Sequence, residues 1–140
     1  RSIGSIFALA FAARHAAETV GLVLESGIAD IEEWVAWYVS KGRAEDPASL
    51  FKALDVDPTA ASACAERYLN TRARLQQYLG PLLVLHAEGD SIVSVEHAKF
   101  FHKLAAETPE RRINHLVTWE RGGHNDIHQK NMREYLRELG

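Results

Sequence analysis

Arg1-Ser2-Ile3-Gly4 opens the chain. It reads as the last four residues of a Gly-x-Ser-x-Gly turn, the sharp strand-to-helix corner that lifts a serine hydroxyl out of a sheet. Small residues flank such a serine because bulky ones collide with the strained backbone. The first glycine and its strand are expected upstream of Arg1. Ser2 is then a candidate nucleophile, and the backbone N–H of Ile3 a candidate oxyanion donor. A serine hydroxyl is a poor nucleophile at neutral pH; it needs a base within reach, and the base needs a carboxylate to orient it. Both types follow downstream, in the order serine, aspartate, histidine. They are Asp90, in Leu83-Val84-Leu85-His86-Ala87-Glu88-Gly89-Asp90, and His124, in Gly122-Gly123-His124-Asn125-Asp126.

The segments around these residues decide whether they can meet. Residues 3 to 16 are alanine-rich and apolar around nearly the whole circumference, which predicts a helix covered on several sides. Val20 to Glu25, ending at Ser26-Gly27, is a short and almost continuous apolar run, the pattern of a fully buried parallel strand. Pro81 to His86 repeats it after Gly80, and Ile113 to Trp119 is a third such run, made more edge-like by His115 and Thr118. Strands separated by helices imply a parallel sheet. Ser2 then precedes a helix, Asp90 follows the end of one strand, and His124 sits in a glycine-flanked loop after another. Open α/β sheets place their sites at that edge, outside the carboxyl ends of the strands.

Between the first two strands, Asp30 to Tyr78 is about fifty residues of helix signals with no strand, more than a crossover needs. This predicts an α/β domain over 1–140 with a core of 1–29 and 79–140 and a small helical cap insertion at 30–78. Asp30 with Glu33 forms a capping box for a helix carrying Trp34, Trp37 and Tyr38, while Asp46-Pro47 and Asp57-Pro58 each set a capping aspartate before a first-turn proline. Asn70 and Ser94 read as caps of two further helices. Asn125 or Asp126 reads as the cap of a last helix whose buried stripe is Ile127, Tyr135, Leu136 and Leu139. The aromatic trio is expected either to pack on the core or to line a substrate pocket beneath the cap.

Arg1-Ser2-Ile3-Gly4-Ser5, Leu85-His86-Ala87-Glu88-Gly89-Asp90-Ser91-Ile92-Val93 and Gly123-His124-Asn125-Asp126-Ile127 together resemble the α/β-hydrolase superfamily, nearest its bacterial Bem46-like and serine-aminopeptidase-like hydrolases. Ser94 stands where proline is usual and Ser5 where a second glycine is often found; neither touches the three residues. The resemblance covers essentially the whole chain and corresponds to the carboxyl-terminal half of that fold, from the nucleophile onward. It implies a serine hydrolase acting on an ester, thioester or amide, with Ser2 as nucleophile, His124 as general base and Asp90 as its acid, no cofactor, and a small-molecule acyl substrate. The second oxyanion donor of that fold comes from a loop after an earlier strand, outside this sequence. The chain by itself is therefore expected to be inactive.

Each residue also has a plainer reading. Ser2 could cap a helix, Asp90 could serve a turn, and His124 could be an ordinary loop histidine; their joint placement favours the catalytic one. His86, Glu88, Asp90, His124, Asp126 and His128 include metal-ligand types but lack a ligand motif on one helix, so no metal is expected. His86 reads as a satisfied core histidine, and His97, His102 and His115 as surface or helix-face residues. A non-catalytic binding protein on the same scaffold is the alternative, since one fold hosts many functions. Net charge of −3 leaves no electropositive field for nucleic acid. The longest apolar run, Ile3 to Ala13, is too short to span a bilayer. The single cysteine, Cys64, fits a reducing compartment, hence an expected cytoplasmic location.

Overall fold

A computed structural model describes residues 1–43, 45–46, 70–110 and 113–140. Three strands, β1 (Leu22–Glu25), β2 (Leu82–Ala87) and β3 (Asn114–Trp119), form one sheet in the order β1-β2-β3. Both pairings are parallel, with Leu24 beside Val84 and Val84 beside Leu116. The expected strands are thus present, adjacent and parallel. The helices are α1 (Gly4–Arg14), α2 (Ile31–Ser40), α3 (Thr71–Gln77), α4 (Val95–Ala106), α5 (Ile127–Lys130) and α6 (Met132–Leu139). The helix starts expected at Asp46-Pro47 and Asp57-Pro58, Cys64 and about half of the 30–78 insertion lie outside the described residues. Among the described residues no helix is long and apolar enough to cross a membrane.

Local chemistry sets the helix starts. Asp30 Oδ1 accepts the Glu33 N–H at 3.0 Å, Asn70 Oδ1 the Ala73 N–H at 2.9 Å, and Ser94 Oγ the Glu96 N–H at 3.3 Å. Each occupies a donor that a helix end leaves free. The core lies on one face of the sheet, where Leu22, Leu24, Leu82 and Val84 meet Leu9 and Ala12 of α1, Leu75 of α3, and Phe101 and Leu104 of α4. A smaller cluster of Ile6, Ile28 and Val93 sits under the carboxyl ends of the strands.

Four expectations are corrected. Helix α1 is covered on one side only: Phe7 and Phe11 are 67% and 62% exposed, because β1 and α3 reach just the Leu9–Ala12 face. The run from Val20 is not fully buried; the strand begins at Leu22, and Val23 is turned away from the core at the sheet edge. The last helix is two, broken at buried Asn131, whose side-chain amide donates to the carbonyls of Arg121 at 2.8 Å and Ile127 at 2.9 Å. Of the proposed stripe Ile127 is buried, Tyr135 half-buried, and Leu136 and Leu139 exposed, since the break turns α6. Of the two placements expected for His97, surface or helix face, it takes the second, on the inward face of α4: it is 1% exposed, with its Nδ1 accepting the Ala29 N–H at 3.4 Å.

Candidate active site

Ser2 occupies the corner between the chain start and α1, with φ of 52°, a left-handed conformation that a non-glycine residue adopts only when its surroundings hold it there. Those surroundings are visible. The Ser2 N–H donates to the Glu25 carbonyl at 3.0 Å, and the Gly4 and Ser5 N–H groups donate back to the carbonyls of Arg1 and Ser2 at 2.9 and 3.0 Å. Ser5 is buried, with its hydroxyl oxygen accepting the Ile28 N–H at 3.0 Å, so it bolts α1 to the loop after β1. Gly27 makes the room, for a Cβ there would stand 2.9 Å from Ser5 Cβ. The Ile3 N–H follows directly, and among the described residues it has no hydrogen-bond partner.

Asp90 lies in the loop between β2 and α4. Its side chain is fully buried, and its two oxygens divide their partners. Oδ1 accepts the N–H groups of Ile92 at 2.8 Å and Val93 at 2.9 Å, which folds the loop around the carboxylate. Oδ2 accepts from His124 Nδ1 at 2.8 Å. The other imidazole nitrogen, Nε2, lies 3.0 Å from Ser2 Oγ. With Nδ1 protonated by its contact with a carboxylate, Nε2 is left as an acceptor for the serine hydroxyl. The three residues drawn from three separate segments are therefore joined in one hydrogen-bonded line. The His124 loop is shaped by Asp126, whose Oδ1 accepts the Gly123 N–H at 2.8 Å, and by Gly122 at φ of 94°.

His86 sits fully buried behind Asp90 and donates from Nε2 to the Val93 carbonyl at 3.0 Å, bracing the same loop. Burial pushes its pKa below the ordinary histidine value, with the Val93 carbonyl and Asp90 only partly offsetting this, so the ring is neutral. Its 3.4 Å approach to Asp90 Oδ2 is accordingly not an ion pair. The remaining residues weighed as metal ligands are engaged elsewhere: Glu88 accepts from the Thr118 hydroxyl at 2.9 Å, and His128 lies edge-on to Tyr135.

The aromatic trio divides. The Trp34 indole N–H donates to the Ile92 carbonyl at 2.9 Å and its ring packs on the Ile6–Ile28–Val93 cluster, tying α2 to the Asp90 loop. The Tyr38 ring lies tilted against Trp34, with centroids 5.2 Å apart. Trp37 faces a cavity of about 470 Å³ bordered by Lys41, Arg43, Gly89, Asp90 and Ser94. Two residues beside the serine, Arg1 and Glu25, escape the sequence reading altogether. The available signal is a single carboxylate closing an otherwise apolar strand, a residue type that is rarely buried unless paired.

No family model matches the chain, and no curated protein sequence matches it. Solved structures do. The chain aligns over 98% of its length with 22% of an acylaminoacyl peptidase from Pyrococcus horikoshii, at 15% identity and a TM-score of 0.61. It aligns over 99% of its length with 48% of an esterase from Pyrococcus furiosus, at 15% identity and a TM-score of 0.63. An α/β-hydrolase enzyme from the metagenome of lagoon sediments at Mar Chica, Morocco, aligns with 99% of this chain and 57% of its own, at 21% identity and a TM-score of 0.61. The chain thus spans about a fifth of the peptidase and about half of the two shorter enzymes. Likeness at this level is one of fold and does not single out the Bem46-like branch. The parallel sheet, the flanking helices and these alignments identify the chain as part of an α/β-hydrolase fold.

Proposed function

We propose that the protein is a serine hydrolase cleaving a carboxylic ester, thioester or amide of a small-molecule acyl substrate through an acyl-serine intermediate. The observation that carries this reading is the unbroken line from Asp90 Oδ2 through His124 to Ser2 Oγ, at 2.8 and 3.0 Å. In it Ser2 Oγ attacks the substrate carbonyl carbon while His124 Nε2 takes the hydroxyl proton. Asp90 holds the Nδ1–H and stabilises the imidazolium that forms. The Ile3 N–H stabilises the oxyanion. His124 then returns the proton to the departing alcohol, thiol or amine. Water, deprotonated by the same nitrogen, releases the acid and restores Ser2. The left-handed Ser2 backbone supports the assignment, since strained conformations persist where function uses them. The peptidase and esterase names of its structural neighbours suit an acyl-transfer chemistry.

Residues 30–78 form, in this proposal, a helical cap over a core of 1–29 and 79–140, with Trp37 and Tyr38 lining the acyl pocket and Trp34 holding α2 in place beside it. The test is labelling with a serine-reactive fluorophosphonate, followed by a panel of esters of increasing acyl length. The native protein, with both oxyanion donors, should label and turn over. Ser2→Ala should not label and should lose turnover on the order of 10⁴-fold or more. A folded native protein that resists labelling would overturn the proposal in favour of a binding protein on the same scaffold.

A further inference from the structure

Arg1, beside the serine, and Glu25, at the end of β1, meet beneath the histidine loop. Glu25 is only 9% exposed, and a carboxylate that far from water is stable only when paired. Arg1 Nε lies 3.2 Å from its Oε1, and the Tyr135 hydroxyl of α6 donates to its Oε2. Burial first, and then the hydrogen bond to Glu25, push the Tyr135 pKa up to about 12, so the phenol stays a donor across the neutral range. The other end of the Arg1 guanidinium reaches the loop: Nη2 donates to the His124 carbonyl and, at 3.1 Å, to Asn125 Oδ1. One planar group therefore touches the end of β1 and the backbone that carries the imidazole, one residue away from Ser2.

We propose that Arg1 is a positioning residue that locks the histidine loop onto the serine turn, with Glu25 as its anchor. This rests on the reading of Ser2 and His124 as nucleophile and base. The bond to Asp90 fixes the imidazole at one nitrogen, which leaves the ring free to pivot with its loop. Gly122 and Gly123 give that loop little stiffness of their own. A tether on the His124 carbonyl removes the pivot and keeps Nε2 facing Ser2 Oγ. Arginine suits the task because its fork bonds acceptors on two sides at once and its charge persists at any working pH, whereas lysine offers one point charge. The Arg1 side chain is 38% exposed, but Glu25 is buried, so loss of Arg1 leaves that carboxylate with Tyr135 alone and should lower the melting temperature as well as the rate. Removing the charge too, in Arg1→Met/Glu25→Gln, should restore the melting temperature and not the rate.

The experiment compares the native protein with Arg1→Met, Arg1→Lys, Glu25→Gln and the double variant Arg1→Met/Glu25→Gln. It reads fluorophosphonate labelling rate, kcat and KM on one ester, melting temperature, and hydrogen exchange of the 122–126 amides. Arg1→Met should label and turn over roughly 10–100-fold more slowly with KM within about twofold, because small misplacements of a reacting group cost that much. Its loop amides should exchange faster, and in Arg1→Met/Glu25→Gln they should stay fast while the melting temperature returns toward the native value. Arg1→Lys should recover part of the loss. Unchanged rate and unchanged exchange in Arg1→Met would overturn the proposal, as would a loss carried wholly by KM or by unfolding. If Glu25→Gln fails to fold, the two Arg1 variants decide. A native protein that does not label removes the nucleophile reading itself. A native protein that labels beside an Arg1→Met that labels equally fast removes only the lock.

Discussion

Replacing Asp90 by asparagine separates its two duties. Asn Oδ1 can still accept from Ile92 and Val93, so the loop should keep its shape. The amide nitrogen would then face His124 Nδ1 and force that nitrogen to accept, which places the proton on Nε2 and leaves Ser2 without a base. Asp90→Asn should lower kcat by about 10⁴-fold, as loss of the correct tautomer does in serine hydrolases, with little change in melting temperature. Steady-state kinetics beside thermal unfolding checks both halves. A large loss of stability together with activity would mean that the carboxylate serves mainly the loop.

Among the elements, α1 and the turn after β1 are in close contact. A Cβ on Gly27 would lie 2.9 Å from Ser5 Cβ and 3.1 Å from the Phe101 ring, and neither neighbour can swing away. Gly27→Ala should cost about 1–3 kcal/mol, the usual penalty for overpacking a filled site. Urea unfolding measures it. Because Ser5 lies in the first turn of α1, three residues from Ser2, the same change should also disturb Ser2 and slow labelling. The strands were legible because runs such as Leu82-Leu83-Val84-Leu85 bounded by glycine have few other solutions. The starts at Asp30, Asn70 and Ser94 were legible because capping is settled within four residues. What escaped depends on distant neighbours: the bare side of α1, the break at Asn131 and the burial of His97. The same division runs through the site. Asp90 and His124 stand out because each follows a strand, and Ser2 because of its turn motif before a helix; the fold brings the three side chains within hydrogen-bond reach. The Arg1–Glu25 pair acquires meaning only once residues 1, 25, 124 and 135 are seen together.

For the molecule as a whole, the buried histidines set the response to acid. His97, like His86, has its pKa pushed below the ordinary value of 6.5, chiefly by burial and then by the nearby His86. Above that value both rings are neutral whether the chain is folded or not, and they contribute no pH dependence. As the pH falls below it, the unfolded chain takes up protons that the folded one refuses, so stability must fall. Urea unfolding between pH 7 and pH 5 should show this loss, with a slope approaching about two protons; His97→Gln should bring it closer to one. A stability that holds flat over that range would show that these rings charge without unfolding the protein. A different consequence follows from the bond between Ser2 and His124, which joins residues 122 positions apart. Closing so long a loop carries its entropy cost before any local contact repays it. The helices and the β1–β2 pairing can form within shorter spans, but the reactive geometry exists only after nearly the whole described chain has been drawn together. If Ser2 is the nucleophile, its reactivity arrives late in folding, and a half-folded chain carries an ordinary serine.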